Sequence, residues 1–403
     1  MHYTNLKEST SRIGQKLTKQ RPIRILHVVG GMVRAGTETW LMHILRNIDR
    51  DAFHMDFLVH TNEECAYDGE IRSYNSKVIP CLNSSQPWLY ARNFQAILND
   101  NEPYDIIHSH VHHFSGFVLW LAKRAGIPVR IAHSHLDSSI VESNSGLKRR
   151  LYFILTKALI AQYATLGLAA SNKARKDLFY QTQANEQRWQ LLSCGVNLDS
   201  FKNKIDGSDI RAELGIPSDA FVIGHVGRFH PQKNHQFIID IAAEVAKREP
   251  KMRLLLVGEG DLVSEVQQQV TLKGLSKKVI FAGSRSDVSL LMMEAIDMFL
   301  FPSLYEGLGL VLIEAQAAGV RCILSDAVPP EADVVKQLMQ RMSLSQPADD
   351  WAELILALRD KIAKISSTEA LECVERSQFN IINSLESLKN IYVENLKIYA
   401  NKI

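Results

Sequence analysis

Long apolar runs are missing from this chain: no stretch approaches the roughly 20 consecutive apolar residues of a membrane-spanning helix. The first residues are polar and mildly basic, without the apolar core of a secretory signal, so the chain is expected to stay in the cytoplasm. Cysteine is scarce. The five residues Cys65, Cys81, Cys194, Cys322 and Cys373 are odd in number and form no C-x-x-C pair, which removes a zinc ribbon or dithiol redox centre and leaves reduced core thiols as the expectation. No G-x-G-x-x-G follows a strand pattern, which weighs against a nicotinamide or flavin dinucleotide, and no D-x-D stands at a strand end to hold a divalent ion on a diphosphate. Solenoid repeats and low-complexity segments are absent as well.

What remains is an ordinary folded composition, 46% apolar and 22% charged, in 403 residues, more than one hydrophobic core usually serves. The net charge of +2 hides an asymmetry: residues 1–205 carry 25 Lys and Arg against 17 Asp and Glu, whereas the remainder carries 21 against 27. A basic half and an acidic half imply different partners.

Residues 1–20 lack apolar periodicity and read as a mobile tail. From Arg21 short β-rich runs alternate with longer helical ones, the pattern of a parallel α/β architecture. Strands are expected at 23–30, 53–60, 77–81, 105–110, 129–135, 166–171 and 189–195. A polar segment near 198–215 breaks the rhythm, which restarts with strands at 221–227, 252–258, 279–283, 297–303 and 321–326. The expected organisation is a first domain over 21–205, a second over 206–375, and a terminal helix over 376–403 that packs back on the first. Ligands of parallel sheets bind at the carboxyl ends of the strands, so the working site is expected in the cleft between the domains.

Three strand-to-helix turns carry the chemistry. In "YEGLGLVLIEAQAAG" Glu306 lies in a loop and Glu314 inside the following helix, with no Lys or Arg on that helix to pair with Glu314. Gly307 and Gly309 let a ligand approach the amides through Leu308 and Leu310, and ionised carboxylates suit vicinal hydroxyls, which supply two donors. The competing reading makes Glu306 a helix cap and Glu314 the partner of a basic residue elsewhere. In "GHVGRFHPQKNH" Arg228 and Lys233 precede a helix start with no evident partner, an arrangement that makes sense around an anion such as a diphosphate. In "VVGGMVRAGTET" Gly31 and Gly36 flank a loop with room for a phosphate or sugar. Six histidines crowd "HSHVHHF" and "IAHSH"; a metal centre is one reading, but the nearest acids are only Asp105 and Asp137, and hydrogen-bonded or acceptor-side histidines are favoured.

The set "GGMVRAGTET", "IAHSH", "CGVNLDSF", "GRFHPQKN", "VGEGDL" and "YEGLGLVLIEA", in this order, resembles the family 4 retaining glycosyltransferases of the GT-B fold, particularly bacterial members that build capsular and extracellular polysaccharides. The resemblance spans about residues 22–400. It implies two Rossmann-like domains and transfer of a sugar from a nucleotide diphosphate sugar, a UDP-sugar first, to a saccharide or polyprenyl-diphosphate-linked saccharide. Arg228 and Lys233 would hold the diphosphate, Glu314 the ribose, and Glu306 the sugar hydroxyls with the amides of Gly307, Leu308, Gly309 and Leu310. Gly31 and Gly36 would lie beside the diphosphate, and the base near Ser284 and Arg285. His133, or else His135, would stand at the anomeric carbon, with His110 and His135 on the acceptor side. No metal, cofactor or nucleic acid is implied. Two departures stand out: Cys194-Gly195-Val196 replaces the usual Asn-Gly-Val, and Leu308 replaces a common aromatic. A sugar-nucleotide epimerase or hydrolase on this scaffold, or a non-catalytic binding protein, would fit the retained charges less well. A lipid-linked acceptor implies an anionic membrane surface, for which "GLKRRLYFILTKAL" offers Lys148, Arg149 and Arg150 beside apolar residues; its plain reading is a core helix with one charged end.

Overall fold

The computed structural model describes residues 21–139, 142, 145–179, 186–202, 210–361 and 364–401; the expected tail over 1–20 lies outside them. The chain divides into two compact units. The first takes the described residues of Met1–His135, Val141–Leu192 and Leu385–Ile403, the second those of Leu136–Ile140 and Ser193–Ser384.

In the first unit β1 (Ile23–Val29), β2 (Phe53–Val59), β3 (Val78–Pro80), β4 (Ile106–Ser109), β5 (Val129–Ser134), β6 (Leu166–Ala169) and β7 (Trp189–Leu191) form one parallel sheet in the order β3-β2-β1-β4-β5-β6-β7. The central strands β1, β2, β4, β5 and β6 are buried almost throughout because helices cover both faces. Helix Gly36–Asn47 buries Trp40, Leu41, Met42, Ile44 and Leu45, each worth about 1.5–3 kcal/mol on removal from water. The last helix, Ile381–Ala400, places Leu388 and Tyr392 in full burial, and the Tyr392 hydroxyl lies 2.7 Å from His108 Nδ1. The terminal helix therefore returns to the first sheet.

The second unit repeats the plan with β8 (Phe221–Val226), β9 (Met252–Val257), β10 (Val279–Phe281), β11 (Met298–Phe301), β12 (Arg321–Ser325) and β13 (Met339–Met342), ordered β10-β9-β8-β11-β12-β13 and parallel throughout. Both sheets thus have the strand order that reverses at the first strand, between β1 and β4 and between β8 and β11. That reversal opens a crevice at the strands' carboxyl ends. Twelve of the thirteen strands were expected; β13 was not, because its Met-Gln-Arg-Met sequence is an edge strand with one half-wetted side and lacks an apolar run.

The motif Cys194-Gly195-Val196 has a structural cause. Val196 N–H donates to Phe379 O (2.8 Å) and Ile381 N–H to Val196 O (3.0 Å), so the segment entering the last helix lies on this turn. A Cβ on Gly195 would come within 2.7 Å of Ile381 Cα. Of the cysteines, Cys81, Cys194 and Cys322 are buried thiols as expected, but Cys65 is half-buried and Cys373 exposed, the latter on the outer side of helix Ser367–Arg376.

Candidate active site

The loops after β8 and β11 flank the switch point of the second sheet and are stitched together. Leu304 N–H donates to Gln232 O (2.9 Å), Gln232 Nε2 to Tyr305 O (3.0 Å), and Asn234 Nδ2 to Pro302 O (3.2 Å). Across the same seam Lys233 Nζ donates to Glu306 Oε1 at 2.6 Å and stands 4.6 Å from the Phe301 ring centre. This corrects the expectation that both cations lack a partner: Lys233 is half of an ion pair whose carboxylate is almost wholly buried. Arg228 is different. Its side chain is exposed and has no hydrogen bond or ion pair among the described residues.

The turn itself explains the placement. After β8 the chain makes a short 3-10 turn over Pro231–Lys233, entered by His230, whose Nδ1 accepts from Gln232 N–H. Asn234 then takes a left-handed conformation (φ 57°) and opens helix His235–Arg248. Lys233 is thereby turned toward β11. Neighbouring glycines make room: Gly258 (φ 140°) lies where a Cβ would come 2.1 Å from Gly227 O, and a Cβ on Gly260 would come 2.5 Å from Phe229 O.

After β11 the loop leads through Gly309, at φ 86°, into helix Leu310–Ala317. Among the described residues the N–H groups of Gly307, Leu308, Gly309 and Leu310 find no backbone acceptor. Leu308 itself is buried, packed as a core residue. Glu314, one turn into the helix, is half-buried, and its carboxylate has no hydrogen bond or ion pair among the described residues. Burial raises its pKa to about 7. The competing reading, in which Glu306 caps the helix and Glu314 meets a basic residue, therefore finds no support here.

Ser284 and Arg285 follow β10, two strands from β8 at the same edge of the sheet, and are tied in by Gly258 N–H donating to Gly283 O (2.8 Å). The Arg285 guanidinium is fully engaged, bidentate to Asp287 (2.8 and 2.6 Å) and bonded to Glu213 (2.7 Å), which raises its pKa.

In the first unit Gly31 lies in the loop after β1 and Gly36 opens the next helix; a Cβ on Gly31 would press on Thr61 and Cys65 at 3.1 and 3.2 Å. The histidines converge. His108 from β4 with His110 just after it, His133 from β5 with His135 just after it, and His27 from β1 cluster beside Trp40. His133 is wholly enclosed, while His110 and His135 keep partial exposure. Desolvation holds all five far below the ordinary imidazole range, His27 and His135 at about 3. His27 was missed from the sequence because a lone histidine in an apolar strand carries no local signal. Lys148, Arg149 and Arg150 lie on the exposed first turn of helix Leu147–Tyr163, with Arg149 over Phe153.

Comparison with known proteins gives the family. The family described as Glycosyl transferases group 1 matches residues 206–365, and the Glycosyl transferase 4-like domain matches 35–194. The chain is 37% identical to a Bacillus subtilis protein provisionally named glycosyltransferase EpsF over 335 residues, covering 82% of this chain and 86% of that one. It is 25% identical to the Escherichia coli UDP-Gal:alpha-D-GlcNAc-diphosphoundecaprenol alpha-1,3-galactosyltransferase over 298 residues (73% and 76% covered). The capsular polysaccharide biosynthesis glycosyltransferase CapH of Staphylococcus aureus matches at 24% over 379 residues (92% and 99% covered). Among solved structures, Anabaena Alr3699/HepE in complex with UDP and glucose shares the fold at a TM-score of 0.77 and 19% identity, covering 92% of this chain and 100% of that one.

Proposed function

Because the chain belongs to the glycosyltransferases of group 1, with a 4-like first domain, we propose that it transfers a sugar, with retention, from a UDP-sugar to a lipid-diphosphate-linked saccharide during polysaccharide assembly. The observation that carries the reading is the pairing of an unpartnered Arg228 and the Lys233–Glu306 seam with an unpartnered Glu314 one helical turn away from free amides. UDP as the nucleotide and a lipid-linked acceptor are supported by the Escherichia coli relative, which acts on a UDP-sugar and a diphosphoundecaprenol-linked saccharide, and by the UDP bound in the Anabaena structure.

The geometry divides the labour. Arg228 supplies a planar fork and Lys233 a point charge to the diphosphate, whose negative charge grows as the glycosidic bond breaks. The amides of Gly307 to Leu310 add donors without a charge to desolvate. Glu314 accepts from the ribose hydroxyls. Glu306, fixed by Lys233, accepts from sugar hydroxyls, and this bond places the sugar beside its own leaving group. With Glu306 committed to that role, retention follows a front-face displacement: the acceptor oxygen bonds to the anomeric carbon, the diphosphate departs on the same face, and a diphosphate oxygen takes the acceptor's proton. Positioning and charge stabilisation carry the rate, and no metal is needed on the diphosphate. His110 and His135 are the acceptor-side candidates, His135 being more accessible than His133.

The same reading puts the protein at an anionic membrane. Helix Leu147–Tyr163 buries Phe153, Thr156 and Ile160 and exposes Leu147 (85%), Leu151 (56%), Ile154 (55%) and Leu155 (56%). At 100° per residue these four form one stripe flanked by Lys148 and Arg150, the layout of a helix lying in a lipid interface.

Nucleoside diphosphate release from UDP-, GDP- and ADP-sugars, with and without a lipid-linked acceptor, tests the function. Acceptor-dependent UDP release is expected, reduced by a factor on the order of a hundred or more in Arg228→Ala and in Lys233→Ala. Rates within twofold of the wild type in both variants would remove the diphosphate assignment.

A further inference from the structure

The second sheet carries another concave surface, at the opposite end from the turns that hold Arg228, Lys233 and Glu306. A cavity of about 540 Å³ opens at the amino ends of its strands, where Phe221 begins β8, Met298 begins β11 and Arg321 begins β12. Because the strands are parallel, a molecule seated there does not compete for the turns at their carboxyl ends.

The charges lining this cavity do not cancel. Its three carboxylates are all taken. Asp219 pairs with Lys251 (2.8 Å), Glu249 meets Arg359 and accepts from Lys251 N–H (2.8 Å), and Asp297 meets Arg211 (2.8 Å) and accepts from Val222 N–H (2.7 Å). Two of the four lining cations are neutralised in this way, and Arg321 and Lys361 are left over. Arg321 is half-buried and meets no carboxylate among the described residues. It donates to Leu358 O and, at 3.0 Å, to Lys361 O, closing the end of helix Ala348–Arg359. Those bonds occupy two of the five guanidinium N–H groups, and the carbonyl dipoles offset its charge only in part. Desolvation lowers its pKa, as it does for a cation short of a counter-charge. The Lys361 side chain has no hydrogen bond or ion pair among the described residues, and its main chain lies against the Arg321 guanidinium. An anion between the two relieves both the desolvation and the mutual repulsion.

We infer that this cavity binds a small phosphate monoester, held by Arg321 as a planar fork and by Lys361 as a point charge. Two uncompensated cations match a phosphate dianion better than the single charge of a carboxylate. The space exceeds what a phosphate alone fills and falls within the roughly 300–1,000 Å³ of small-molecule sites. Ala220, Phe221 and Met298 give an apolar wall for the carbon-bearing part. The inference does not rest on the function proposed for the carboxyl-end turns.

The test titrates full-length protein with ribose 5-phosphate by calorimetry, beside inorganic phosphate and acetate at equal ionic strength, and repeats the titration in an Arg228→Ala/Lys233→Ala variant. One equivalent of ribose 5-phosphate is expected to bind the wild type and this variant alike, more tightly than inorganic phosphate, with no heat from acetate. Affinity should fall about tenfold in Arg321→Gln and about threefold in Lys361→Gln. Should Arg321→Gln fail to fold by circular dichroism, the exposed Lys361→Gln decides. No saturable binding in the wild type, an unchanged dissociation constant in folded Lys361→Gln, or inorganic phosphate binding as tightly as the ester would overturn the site. So would loss of binding confined to Arg228→Ala/Lys233→Ala, which would assign the heat to the carboxyl-end turns.

Discussion

Glu314 shows how a single residue is tuned by what surrounds it. Burial raises its carboxyl to about 7, and in the proposed role it must be ionised to accept two ribose hydroxyls at once. Nucleotide affinity should therefore be full at pH 8 and fall about tenfold for each unit below pH 7, since only the ionised fraction binds. Stability runs the other way. A raised carboxyl pKa favours the folded state below the unfolded value and loses that contribution as pH rises through about 7. Glu314→Gln should accordingly flatten the pH profile of UDP binding by calorimetry and raise the ligand-free melting temperature at pH 8; a retained slope would assign the titration to another group. Gly258 is tuned by space instead. Gly258→Ala places a methyl against Gly227 O at φ 140°, and should cost about 1–3 kcal/mol in denaturant unfolding.

At the scale of elements, helix Leu147–Tyr163 packs on the first unit's core and also leaves an apolar stripe exposed. Phe153, Thr156 and Ile160 are buried, whereas Leu147, Leu151, Ile154 and Leu155 are exposed. Bound to lipid, the stripe would gain apolar burial and each nearby cation about 1 kcal/mol. The protein should co-sediment with phosphatidylglycerol vesicles at low salt, release as salt screens the charges, and lose binding when Lys148, Arg149 and Arg150 are all changed to Gln, with UDP affinity unaltered. Equal binding to neutral and anionic vesicles would leave the cations without a role. A symmetric contact between two copies through this helix is the weaker alternative, because it would bring six like charges together.

For the whole molecule, the proposed reading rests the donor chemistry on protein cations, so turnover should survive EDTA and be unchanged by added magnesium or manganese. Loss restored by either ion would place a metal on the diphosphate. The sequence by itself determined the two-unit parallel α/β plan, because doubly covered strands need unbroken apolar runs, and it marked Arg228, Lys233, Glu306 and Glu314, because charges at glycine-rich turns beside apolar helices break the local pattern. Only the tertiary structure decided which of those charges pair. Lys233 and Glu306 are 73 residues apart, and their 2.6 Å bond exists because β8 and β11 are sheet neighbours. The same is true of the histidines: strand neighbours from β1, β4 and β5 bring distant imidazoles onto one face, a juxtaposition set by strand order, which no local stretch of sequence encodes.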